Sequence, residues 1–262
     1  MIIADLHTHS SFSSDSKEPL ENIASGALDK GLKTLCLTEH MDFDYPTGEF
    51  FLDVPKYREE LFRIKEKYSD KLEILFGVEL GLLDYNAAKQ YEFAKSADFD
   101  FIIGSMHQVD NIDPYYPEYF EQRGGRDGII HFFEVMLESV KAFDDYDVLG
   151  HFDYIVRYSP EKGYDPLDYR EVIDEILKTV VSAGKGIEIN TKGVSSIGYP
   201  HPHPFVLKRF RELGGETVTI GSDAHDRSRV ADDFDKAEQA LRQAGFEYYA
   251  IFRGRKPEYV HL

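Results

Sequence analysis

The chain has 262 residues, 42% hydrophobic and 14% aromatic, enough to fill the core of one large domain or two small ones. Its 48 acidic residues against 30 basic leave a net charge of −18, which argues against nucleic acid or an anionic membrane surface as main partner, because phosphate backbones call for a basic footprint. A single cysteine, Cys36, rules out an internal disulfide framework. No basic-then-apolar leader and no run near the roughly 18 apolar residues of a membrane span are visible, so a cytoplasmic protein is expected.

The first predicted strand covers residues 2–6 and ends in Asp5-Leu6-His7-Thr8-His9. Side chains alternate along an extended backbone, so His7 and His9 leave the same face and can reach one metal ion. Leu20, Ile23, Ala24, Ala27 and Leu28 give helical spacing over 19–30, with Gly31 as the stop. A strand over 34–37 holds Cys36 as a small buried hydrophobe and leads into Thr38-Glu39-His40. A loop over 41–55 precedes a charged amphipathic helix over 56–68. The third strand, 73–78, ends at Glu79, and a helix follows over 85–95.

The fourth strand, 100–104, ends at Ser105-Met106-His107, and a polar, aromatic loop over 108–127 leads to a helix over 128–143. The short fifth strand, 147–150, ends at His151. After a helix over 168–183 comes the sixth strand, 186–190, then a helix over 202–213. The seventh strand, 217–221, ends in Ser222-Asp223-Ala224-His225. A helix over 233–244 and a strand over 248–252 close the sequence.

Strands that alternate with helices, and that read as near-continuous apolar runs, indicate a parallel sheet covered on both faces. Seven units without a splitting linker predict a single domain over 1–262. A doubly wound sheet would gather its site at one switch point, whereas here almost every strand ends in a possible ligand, as on the C-terminal face of a closed barrel. The inventory is His7, His9, His40, Glu79, His107, His151, Asp223 and His225, with Asp15 added by the loop after the first strand. Nitrogen and oxygen donors without sulfur suit zinc, manganese or iron. Nine are too many for one tetrahedral ion and fit two or three, with Glu79 as a bridge and an open position for water.

Four histidines lie elsewhere. His131 is placed in a helix and His261 near the end of the chain. His201 and His203 sit in the proline-rich turn 199–204 after the sixth strand, where either is a candidate for substrate contact. Arg157, six residues past His151, is a candidate for gripping phosphate through a bidentate fork.

The motifs DLHTHS at 5–10, TEH at 38–40, Gly77-Val78-Glu79, GSMH at 104–107, GHFD at 150–153 and GSDAH at 221–225 together resemble the PHP (polymerase and histidinol phosphatase) family over essentially the whole chain. The resemblance implies a distorted (β/α)7 TIM-like barrel with a trinuclear metal centre at the C-terminal ends of the strands. It implies one ion on His7, His9, Glu79 and Asp223, a second on Glu79, His107 and His151, and a third on Asp15, His40 and His225. The aspartate at 15, the run TEHMDF at 38–43 and Glu188-Ile189-Asn190-Thr191 followed by Gly193 are similar to the histidinol-phosphatase branch, which acts in histidine biosynthesis. The expected reaction is hydrolysis of L-histidinol phosphate, a small-molecule phosphate ester, by a hydroxide bridging two ions. Asp15 or His225 is a candidate for the leaving-group proton. Acidic and aromatic residues of the 108–127 loop are expected at the mouth, facing an amine and an imidazole. The alternatives are a related phosphatase acting on phosphotyrosine or nucleotide phosphates, an amidohydrolase on a related barrel, or a metal-stabilised module without catalysis.

Overall fold

Strands buried along their whole length, alternating with helices that bury one face, dictate a layered α/β arrangement. The computed structural model describes residues 2–161 and 163–262. In chain order the elements are β1 (Ala4–Asp5), α1 (Leu20–Asp29), β2 (Thr34–Met41), α2 (Val54–Tyr68), β3 (Glu73–Gly81), α3 (Ala87–Ala94), β4 (Phe101–Ser105), α4 (Glu118–Arg123) and α5 (Gly125–Ala142). There follow β5 (Val148–Leu149), α6 (Arg170–Ser182), β6 (Gly186–Asn190), α7 (Lys192–Ile197), α8 (Pro204–Glu212), β7 (Val218–Gly221), α9 (Phe234–Ala244), β8 (Tyr248–Arg253) and β9 (Lys256–His261).

The first seven strands pair in sequence order, every pair parallel. The ring closes just beyond the short β1. Leu6 N–H donates to the Ile220 carbonyl at 3.0 Å, Asp223 N–H to the His7 carbonyl at 2.8 Å, and His9 N–H to the Ala224 carbonyl at 2.8 Å. The expected seven-unit barrel is what forms. Helices pack outside it through the residues their periodicity marks, such as Leu20, Ile23, Ala24 and Ala27 of α1 and Tyr57, Leu61 and Ile64 of α2.

Three departures from the sequence reading matter for the site. Strands β2 and β3 run on through Thr38-Glu39-His40 and Glu79 rather than stopping before them, with His40 in register with Glu79. These polar groups stay in the ladder because their buried side chains find partners, Glu39 on Ser10 and Ser13 and His40 beside Glu79. The 108–127 segment is not all loop: it contains α4, ended by Gly124 at a φ of +78°, and the first turn of α5. The six-residue α7 follows β6 at once, and α7 and β9 carried no readable period.

Strands β8 and β9 form an antiparallel hairpin at the opposite end of the barrel from the ligands. Arg253 forks onto Glu73 at the start of β3, Arg255 bonds Asp147 just before β5, and Phe252 stacks on Phe101 at the start of β4. The barrel floor is thereby covered.

Candidate metal centre

Strand ends on one face bring five histidines together around a single carboxylate. Glu79, pointing inward from β3, is 1% exposed. Its Oε2 lies 3.2 Å from His7 Nε2, 3.4 Å from His9 Nε2 and 3.1 Å from His40 Nδ1. Its Oε1 lies 2.8 Å from His151 Nε2 and 3.2 Å from His107 Nε2. Asp223 Oδ1 approaches His9 Nε2 at 3.6 Å and His225 Nδ1 at 3.3 Å. At the outer rim Asp15 Oδ2 lies 2.8 Å from His225 Nε2 and 3.6 Å from His40 Nε2. All nine residues of the sequence inventory therefore converge.

Ring nitrogens also face each other, His7 Nε2 to His9 Nε2 at 3.0 Å and His107 Nε2 to His151 Nε2 at 3.4 Å. Two ligands on a tetrahedral zinc, with bonds of about 2.0–2.1 Å, stand about 3.3 Å apart, so both pairs have the spacing of ligands sharing an ion. Glu79 Oε2 and His40 Nδ1 are buried without a well-formed hydrogen bond. Polar atoms orphaned in this way are rare in a folded interior and mark a missing partner. The groups His7–His9–Glu79, Glu79–His107–His151 and His9–His40–His225 each offer converging donor atoms. The residues fit divalent ions.

The electrostatics agree. Burial works against charge on Glu79, but the surrounding His7, His107 and His40 outweigh it and hold its carboxyl well below the usual range. Asp223 is likewise buried, and Lys192, His7 and His225 keep it ionised. Burial pushes the pKa values of His9 and His151 down, leaving lone pairs free to bind metal. Burial alone would do the same to His7 and His107, but Glu188 and Glu79 beside the first, and Asp42 and Glu79 beside the second, raise them well above the ordinary value.

Several participants lie outside the inventory. Asp42 meets His107 Nδ1 at 2.8 Å; its alternation with His40 along one strand was the available signal. Glu188, an acid flanked by Ile187 and Ile189 in β6, meets His7 Nδ1 at 2.5 Å. Ser13 Oγ holds His9 Nδ1 at 3.0 Å and is itself tied to the buried Glu39. Lys192 Nζ sits 2.9 Å from Asp223 Oδ1 and 3.2 Å from His225 Nδ1. No sequence signal singled it out, because α7 is too short to show a period.

The cluster floors a cavity of about 350 Å³ whose walls carry Arg157, Lys192, Asp113, Glu49 and several aromatic rings. Arg157 lies between the rings of Tyr154 and Tyr158, at 5.6 and 5.3 Å from their centroids. Its Nε is buried without a hydrogen bond, and it has no carboxylate partner among the described residues. Of the acidic and aromatic residues of the 108–127 segment, Asp113, Tyr115 and Tyr116 reach the cavity. His201 and His203, expected as substrate contacts, do not line it. His201 is fully buried, with Nδ1 2.5 Å from Asp153 Oδ1, because its backbone bridges to Asn190 and draws the turn inward. His203 caps α8 by accepting the Phe205 N–H.

Comparison with known proteins follows the same lines. The PHP domain profile matches residues 5–192. Histidinol-phosphatase of Lactococcus lactis is 34% identical over 96% of this chain and 95% of its own. A probable histidinol-phosphatase of Clostridium acetobutylicum is 32% identical, covering 90% and 91%. Among solved structures, histidinol phosphate phosphatase of Lactococcus lactis, complexed with zinc, L-histidinol and phosphate, superposes with a TM-score of 0.91 at 32% identity, covering 97% of this chain and 98% of that one.

Proposed function

We infer the activity from two premises: the chain belongs to the PHP domain family, and its buried donor cluster lies under a cavity that holds an unpaired arginine. It is a metal-dependent phosphomonoesterase that hydrolyses L-histidinol phosphate to L-histidinol and phosphate. The observation that carries this reading is the convergence of five histidines on Glu79 in a chain that matches the histidinol-phosphatase of Lactococcus lactis over nearly its whole length.

We assign His7, His9, Glu79 and Asp223 to one ion, Glu79, His107 and His151 to a second, and Asp15, His40 and His225 to a third. Bound divalent ions lower the pKa of water and offset phosphoryl charge, which is the chemistry this reaction needs. The protein's own groups do the rest. Arg157, preorganised between two tyrosines, binds phosphoryl oxygens through its planar fork. Lys192, the other cation on the cavity wall, adds a second positive charge there. Asp113 and Glu49 face the cationic amine, and Tyr45, Tyr115, Tyr116 and Phe50 offer surface to the imidazole. Asp15 and His225, a pair at the open rim, are the candidates for handing a proton to the leaving alkoxide.

The acidic cavity wall favours a cationic leaving group over a neutral one such as a nucleoside. No helix among the described residues is long and apolar enough to cross a membrane. A cytoplasmic location, and a small ester rather than nucleic acid as partner, belong to this proposal.

The test is a phosphatase assay on L-histidinol phosphate, phosphotyrosine and nucleoside monophosphates, before and after chelation. The expected result is the highest kcat/KM on L-histidinol phosphate, loss of activity on chelation, and recovery with zinc or manganese. Full activity in demonstrably metal-free protein overturns the mechanism, and preference for either rival ester overturns the substrate.

A further inference from the structure

Strand β6 places Glu188 and Asn190 on one face, inside the barrel beneath the ligands. Both are buried, at 1% and 0% exposure, and neither lines the cavity. Glu188 Oε1 meets His7 Nδ1 at 2.5 Å. Its Oε2 accepts the His151 backbone N–H at 2.9 Å and the Asn190 side-chain amide at 3.2 Å. That amide reaches on to Asp223 Oδ2 at 3.4 Å. One carboxylate thus lies beneath three ligand-bearing segments, those after β1, β5 and β7.

The barrel makes room for it. A Cβ at Gly221 of β7 would stand 2.5 Å from Glu188 Oε1. No lysine or arginine contacts Glu188 among the described residues, so this buried carboxylate has only His7 to answer its charge. Burying a carboxylate on such terms is costly unless its hydrogen bonds are needed.

The other histidines show what is needed. His9 Nδ1 donates to Ser13 Oγ, whose own proton goes to the buried Glu39, and His107 Nδ1 faces Asp42, so each of these rings has a carboxylate at its Nδ1 or one hydroxyl away. His151 Nδ1 is buried with no partner at all. At His7 that role falls to Glu188. A carboxylate accepts and does not donate, so it holds the proton on Nδ1 and turns the Nε2 lone pair toward Glu79.

We propose that Glu188 is a positioning residue for the metal centre, fixing the tautomer and orientation of His7 and spacing it against His151 and Asp223. It touches neither substrate nor ion and acts through these residues. The proposal rests on the metal-centre reading above. Metal titration of the unaltered protein tests that reading, and the ratio of variant to unaltered protein tests this one.

In Glu188→Gln one end of the amide must turn its NH2 toward a donor, either His7 Nδ1–H or the His151 N–H with Asn190. If it faces His7, the imidazole proton shifts to Nε2 and closes the ligand. The expected result is about a 10–100-fold rise in the zinc or manganese concentration for half-occupancy, measured against a competing chelator, as found for partners that orient metal-binding histidines. Two-bond 1H–15N spectra of the metal-free protein at mildly alkaline pH should show His7 losing its Nδ1–H form. Glu188→Asp, which keeps the charge but retracts it, should keep that tautomer and fall between the two in affinity. Metal affinity and tautomer unchanged in Glu188→Gln, with only thermal stability lowered, overturn the proposal. Should that protein fail to fold, Glu188→Asp decides alone: weakened metal binding supports the role, and unchanged binding with a lower Tm refutes it.

Discussion

Arg157 owes its availability to what surrounds it. In a chain of −18 net charge most guanidinium groups are claimed by carboxylates, yet this one is flanked by Tyr154 and Tyr158 and keeps a buried, unbonded Nε. Replacing it with alanine should lower kcat/KM on L-histidinol phosphate by about 10–100-fold, the worth of one or two charge-assisted hydrogen bonds, while metal content measured by elemental analysis stays as before. Unchanged kcat/KM would remove Arg157 from the site. That this residue and the nine candidate ligands gather at one end of the barrel was legible in the sequence, because most of them stand at or just beyond the ends of strands whose apolar runs fix their direction. His201 was misplaced because the prolines around it suggested an extended turn on the ligand-bearing face, whereas its pairing with Asp153 and Asn190 is a long-range event no local pattern encodes. Glu188 was noticed for family likeness, but its hydrogen bond to His7, 181 residues away in sequence, was not.

Elements carry the next level of consequence. The interior strands and the long helices were legible because burial gives them period. Strand β9 was not: all but one of its residues are exposed and it carries Pro257, tolerable on an edge but silent as a strand signal. Its hairpin is joined to the barrel by ions, and Glu73 shows how pH should act there. The hydrogen bond from Arg253 lowers the Glu73 pKa below its ordinary 4.5. A folded-state pKa below the unfolded one gives stability that is present above 4.5 and is lost as pH falls through the folded value. Thermal melts of metal-free Glu73→Gln and unaltered protein should therefore differ by about 1–3 °C near neutrality, a modest gap since the pair is partly exposed, and converge in acid. A gap that widened as pH fell would contradict the assignment.

At the scale of the whole molecule, the proposed ions would join segments from β1, β2, β3, β4, β5 and β7, leaving β6 to contribute from beneath. Ligands that bind only the folded chain stabilise it in proportion to the logarithm of their excess. About 2.7 kcal/mol per site is expected at a hundredfold excess over Kd. Scanning calorimetry should show Tm rising by about 5–10 °C for each site filled, since one kcal/mol moves a domain of this size by about 2–4 °C. A Tm indifferent to zinc and manganese would argue against ligands drawn from so many strands. The barrel itself was legible from the sequence because a ring of strand-end ligands distinguishes it from an open sheet. The backbone seam that closes it was not, since β1 and β5 hold only two residues each and the closing bonds are made by backbone beyond β1.

That seam has a consequence for how the protein is made. His7 and His9 stand on one side of it and Asp223 and His225 on the other, joined by the bonds between His7 and Asp223 and between His9 and Ala224. During synthesis the first two histidines emerge long before their partners, so the centre assembles only once the seventh strand has been delivered and docked. Contacts of such sequence separation form slowly. Metal capture should thus be among the last events of folding, and a nascent chain halted before residue 218 should hold the leading histidines without the site they serve.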